Sequence, residues 1–123
     1  MYQIAVEMDF DAAHSLRGYR GKCESLHGHR FKVVATLKAT ALDEIGLAYD
    51  FTLLKSHLAE ILGKYDHTNL NEVTPFNRIN PSSENIARTI YQKLGKKLTE
   101  SAVTLASVEV WESPQSHVTY SSD

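Results

Sequence analysis

The sequence predicts an α+β domain: a four-stranded antiparallel sheet with two helices on one face, in the chain order ββααββ. Three observations carry that expectation. Apolar residues alternate in the first third of the chain, recur at helical spacing in the middle, and give way at the end to a hairpin rich in Val, Thr and aromatic residues. Strands and helices grouped in runs, instead of alternating one by one, belong to α+β architectures.

From Tyr2 to His14, the residues Ile4, Val6, Met8, Phe10 and Ala12 share one parity and Gln3, Glu7, Asp9 and Asp11 the other, the pattern of a half-buried strand. His14 closes it on the apolar side. Leu16 to Ser25 holds two glycines and three basic residues and reads as a loop. Alternation resumes at His29, with Phe31, Val33, Ala35 and Leu37 opposite Arg30, Lys32, Thr36 and Lys38, a second strand antiparallel to the first. Asp50 is placed to cap a helix whose apolar residues are Phe51, Leu54, Leu58, Ile61 and Leu62, weakening at Gly63. After a turn-rich stretch, Pro81 in a first-turn position with Ser82, Ser83 and Glu84 announces a second helix. Its buried stripe is expected to be Ile86, Ile90, Leu94 and Leu98, flanked by Ala87 and Tyr91. Ala102 to Ser121 reads as a hairpin turning at Ser113-Pro114-Gln115-Ser116. Such a sheet leaves two open edges, and proteins cover or pair their edges. A homo-oligomer joined through those edges is expected.

The 123 residues fit a single domain, 1–123. With 42% hydrophobic and 23% charged residues, neither disorder nor membrane insertion is expected. The net charge of −2 and the absence of a basic block argue against a nucleic-acid partner. Acidic residues Glu7, Asp9 and Asp11 stand where a secretory signal needs a basic and then an apolar run, so a cytoplasmic location is expected.

Three of the six histidines, His14, His27 and His29, fall in one short region. His27 and His29 flank Gly28 at the start of a strand, where residues i and i+2 project to one face about 6.5 Å apart. His14 ends the neighbouring strand. Three imidazoles with no fourth protein ligand describe a zinc site with an open position, of the kind that polarises a bound oxygen. Cys23, the only cysteine, precedes His27 by four residues. Near a dication and the basic residues Arg17, Arg20 and Lys22, its thiolate is favoured. It can serve as a base or nucleophile, ligate the metal and close the site, or simply be a small apolar residue. Asp66 and His67 form either an acid–base pair or an ordinary polar helix exit. Glu112 either lies exposed or accepts two N–H bonds from a ring with adjacent donors. His117 follows a turn and is either a surface residue or a phosphate contact.

Taken together, F-x-A-A-H (Phe10 to His14), C-x3-H-G-H (Cys23 to His29), D-F-x-x-L-K (Asp50 to Lys55), L-x-x-x-D-H-x-x-L-N (Leu62 to Asn71), N-P-S-S-E-N (Asn80 to Asn85) and V-W-E (Val110 to Glu112) resemble the 6-pyruvoyltetrahydropterin synthase / 6-carboxytetrahydropterin synthase family. The resemblance covers essentially the whole chain. It implies the tunnelling fold, in which subunits join sheets into barrels, as hexamers or tetramers with active sites between subunits. It implies that His14, His27 and His29 are zinc ligands, that Cys23, Asp66 and His67 are catalytic, and that Glu112, with Ser83 as a secondary contact, binds a pterin substrate. The short cysteine-to-histidine spacing looks like the bacterial 6-carboxytetrahydropterin synthases of the queuosine and 7-deazapurine route. A glutamate at the functional position marks a folate-pathway variant, and Glu24 adjoins Cys23. A pyruvoyl-type synthase and a non-catalytic zinc- or pterin-binding protein are the alternatives.

Overall fold

A computed structural model of the chain describes residues 1–21, 24–99 and 102–122. Two long strands, β1 (Tyr2–His14) and β2 (His27–Ala39), form its backbone. They pair antiparallel in unbroken register from Tyr2↔Ala39 to His14↔His27. Their alternation sends Val6, Phe10, Ala12 and His14 from one strand, and Phe31, Val33, Ala35 and Leu37 from the other, into the core. Phe10 and Phe31 face each other across the register with ring centroids 5.0 Å apart.

Helix α1 (Phe51–Leu62) starts where the Asp50 carboxylate accepts from the Thr52 N–H at 2.8 Å. It buries Leu54, Leu58, Ile61 and Leu62, while Phe51 stays half exposed. Gly63 ends it. Helix α2 (Ser83–Lys97) begins two residues later than a first-turn Pro81 implies. Ser82 is its cap, bonding the Asn85 N–H at 3.1 Å, so Pro81 lies before the helix and not in its first turn. Glu84 at the first turn and Lys96 and Lys97 at the last complement the helix dipole. Ile86, Ala87, Ile90 and Leu94 pack into the sheet, Leu98 is buried at the C-cap, and Tyr91 is partly buried.

The sheet has five strands and is mixed, in the order β3-β1-β2-β4-β5. The expected hairpin is present as β4 (Thr104–Ser113) and β5 (Ser116–Tyr120). The addition is β3, only Thr68–Asn69, which runs parallel to β1 beside Ala12 and Ala13. The order is therefore ββαβαββ, and the expected all-antiparallel sheet gains a parallel edge. Both helices cover one face, contributing with the inward strand residues to a single cluster that includes Tyr65, Leu70 and Phe76. Among the described residues no helix is long and apolar enough to cross a membrane.

Candidate metal centre

The end of the β1–β2 ladder assembles the histidines. His14 pairs directly with His27, and His29 lies opposite Ala12, so all three imidazoles share the helix-covered face. Their ring centroids are 4.6 Å (His14–His27), 5.3 Å (His14–His29) and 4.8 Å (His27–His29) apart, each pair set edge-on. The Nδ1 of His14 lies 2.6 Å from the Pro81 carbonyl, and that of His27 lies 2.7 Å from the Ser25 carbonyl. A carbonyl only accepts, so each Nδ1 carries the proton and donates. Each Nε2 is left with its lone pair, the arrangement of a metal-ligating histidine held by an outer partner.

Glu112 joins this group from β4, whose inward residues Val108 and Val110 share its parity. Its Oε1 lies 2.8 Å from His29 Nε2 and 3.5 Å from His14 Nε2. Neither nitrogen has an aligned hydrogen-bond partner among the described residues, and both are buried. A buried polar atom left so costs about 1–3 kcal/mol. His14 is only 1% exposed, so water offers no easy relief. Burial, above all, holds His29 below the ordinary histidine pKa; Glu112 opposes this and His14 and His27 reinforce it. Neutral rings are the form that binds a metal. The nearest ligand atoms of His14, His27, His29 and Glu112 all lie within 4.8 Å of one another, and this donor set fits a metal ion.

Beside the cluster a cavity of about 190 Å³ opens between β5 and the start of α2. His14, Ser83 and Glu112 line it, and the Ser83 hydroxyl donates to Glu112 Oε2 at 3.5 Å.

Asp66 and His67 stand apart from this cluster. They follow α1 and hook onto the outer edge of β1: the His67 N–H donates to the Asp11 carbonyl at 2.6 Å, and the Asp11 N–H donates to Asp66 Oδ1 at 2.9 Å. His67 takes a left-handed backbone (φ 59°), which costs a β-carbon-bearing residue about 1 kcal/mol or more. Asp66 Oδ2 sits 3.0 Å from His67 Nδ1, leaving Nε2 outward on a ring 78% exposed. The Asp11 N–H is the chief cause holding the Asp66 carboxyl below its ordinary pKa; partial burial opposes it and His67 adds to it.

Cys23 and Lys22 lie outside the described residues. Arg17, one of the basic loop residues, ties the chain together: its Nη2 donates to the Phe76 and Ile79 carbonyls at 2.8 Å each. His117 stacks on Trp111, with centroids 3.9 Å apart. Sequence reasoning did not find the orienting carbonyls of Pro81 and Ser25, because a carbonyl is present at every residue. The amides of Asn71 and Asn80 were visible only within motifs. Each pairs with both backbone groups of one residue after β1, Ser15 and Arg17 respectively, and so secures the exit from His14.

The model of the 6-pyruvoyl tetrahydropterin synthase family matches residues 3–123. The chain is 38% identical to the 6-carboxy-5,6,7,8-tetrahydropterin synthase of Synechocystis sp., over 98% of this chain and 93% of that one. It is 32% identical to the Bacillus subtilis protein of the same name, over 97% and 84%. Among solved structures it superposes on the Caenorhabditis elegans 6-pyruvoyl tetrahydropterin synthase with a TM-score of 0.87, at 28% identity, covering 99% of this chain and 96% of the other.

Proposed function

The chain belongs to the 6-pyruvoyl tetrahydropterin synthase family, and on that premise we propose that it is a 6-carboxy-5,6,7,8-tetrahydropterin synthase. The substrate is 7,8-dihydroneopterin triphosphate, and with uptake of water the products are 6-carboxytetrahydropterin, acetaldehyde and triphosphate. The observation that carries this reading is the convergence of three imidazoles, two with Nδ1 tied to carbonyls, beside a carboxylate in a cavity. The relatives' shared name and the short spacing from Cys23 to His27 favour the carboxy-type product.

His14, His27 and His29 hold zinc in this proposal. When bound, zinc supplies Lewis acidity that lowers the pKa of the substrate's side-chain hydroxyls. Glu112 accepts two N–H bonds from the pterin edge, and Ser83 holds its second oxygen. Cys23 removes a side-chain proton as thiolate. Asp66 keeps the Nδ1 of His67 protonated, so Nε2 exchanges the proton on the other side. Because the Asp66–His67 pair sits at the β3 edge of the sheet, apart from the metal cluster, a neighbouring copy in a homo-oligomer brings it to the site.

Turnover of 7,8-dihydroneopterin triphosphate by zinc-loaded protein, with products identified by mass, tests the proposal. Acetaldehyde and the 6-carboxy product are expected, and chelation abolishes both. Triphosphate release with a 6-pyruvoyl product and no acetaldehyde supports instead the pyruvoyl-type reading, which the likeness to the C. elegans structure favours.

A further inference from the structure

Glu112 is an unusual place to mount a side chain that must hold a position. The β4–β5 register runs regularly to Trp111↔His117 and resumes at Ser113↔Ser116, so Glu112 is the extra residue of a β-bulge. The β2–β4 ladder also ends at Lys32↔Trp111. Among the described residues Glu112 thus has no cross-strand partner on either side. Its predecessor is paired on both.

Trp111 points away from the core, on the face opposite Val108 and Val110, and is only half-buried there. Packing of the core therefore does not explain it. Its ring is nonetheless held by both flanking strands. Lys32 places its ammonium 4.3 Å from the ring centroid, and His117 stacks at 3.9 Å with planes 15° apart. The indole N–H donates to Glu109 Oε1 at 2.9 Å. The in-register row Lys32–Trp111–His117 clamps the last regular residue before the bulge.

We propose that Trp111 is a positioning residue: clamped between Lys32 and His117, it fixes where the bulge begins and so aims Glu112 at the histidines and the cavity. The inference deepens the proposed pterin site and rests on it for its effect on ligand affinity, but not for its effect on geometry.

Crystal structures of zinc-loaded Trp111→Ala and Trp111→Phe give the direct test. In Trp111→Ala, the Glu112 carboxylate is expected to swing away from the position beside His29 that it holds in zinc-loaded wild-type protein, with the histidines and the zinc content unchanged. The phenylalanine ring is expected to restore that position. Calorimetry with 7,8-dihydroneopterin is expected to show about tenfold weaker binding for Trp111→Ala, the loss of one well-placed charge-assisted bond, and near-normal binding for Trp111→Phe. Should Trp111→Ala not fold, Lys32→Ala removes one side of the clamp and is expected to weaken binding about two- to threefold at unchanged zinc content. An unmoved Glu112 in Trp111→Ala, or unchanged affinity in the folded variants while Glu112→Ala abolishes binding, overturns the proposal. If wild-type zinc-loaded protein does not bind the pterin, the pterin reading fails, and the position of Glu112 alone decides this inference.

Discussion

The histidine cluster and the Asp66–His67 pair are built by opposite means. The cluster sits at the end of the longest ladder in the molecule, on its buried face, with two rings locked by backbone carbonyls. The pair sits on an exposed edge, holding a strained backbone against β1 through two hydrogen bonds at a single residue, Asp11. One arrangement is preorganised and desolvated, which a metal centre needs. The other is oriented but open, which suits a group that meets its substrate across an edge. The two regions should therefore separate cleanly under mutation.

The largest effect is expected from His14→Ala and His67→Ala taken together. Loss of His14 removes a buried ligand, and zinc content by atomic absorption should fall to background. His67→Ala should keep full zinc content while kcat falls about 10²- to 10⁴-fold, as for removal of a general acid–base group. Zinc loss in His67→Ala would show that the two regions are one site.

Next comes the pH dependence of metal binding. In the metal-free protein the His29 pKa lies below 6.5, so its ring stays neutral there while the unfolded chain protonates. Its contribution to stability is then present above about pH 6.5 and lost as pH falls toward the folded value. Protons compete with a metal for imidazole nitrogen, and zinc affinity measured against a chelator should drop as pH falls below about 6.5. A flat profile would deny that imidazoles carry the metal.

Asp66 loses its contribution in the same direction, as pH falls, but in a lower window and because the fold favours its charged form. Its folded pKa lies below the ordinary 3.8, so its contribution is fully present above the unfolded value and is lost as pH falls through the lower, folded one. Asp66→Asn should flatten the acid limb of the melting temperature below about pH 4 and leave zinc affinity unchanged. The smallest effect is expected at Ser82, which caps α2 between the His14 partner Pro81 and the Glu112 partner Ser83. Ser82→Ala should cost about 1 kcal/mol in denaturant unfolding.

What could be read in the sequence follows the same division. The long elements were legible because burial imposes a period: Ile4 to Ala12 and Phe31 to Leu37 alternate, and Leu54, Leu58, Ile61 and Leu62 recur at helical spacing. His14, His27 and His29 inherit their shared face from that alternation. Strand β3 was not legible, since two residues carry no period and Thr68–Asn69 pair only because Asp11 anchors the turn before them. Pro81 was assigned to the first turn because a proline followed by Ser82, Ser83 and Glu84 reads as a helix start, and only the bond from the Asn85 N–H to Ser82 shows that the helix begins after it. Glu112 approaches His29 beside a register shift between β4 and β5, which no local pattern announces. Cys23 lies outside the described residues, so its role rests on spacing and resemblance.

X-ray absorption at the zinc edge of the purified protein tests the metal centre most directly. An open three-imidazole site predicts a nitrogen shell at about 2.0–2.1 Å and no sulfur scatterer. A sulfur shell at about 2.3 Å would place Cys23 on the metal, close the site, and contradict its proposed role as the base.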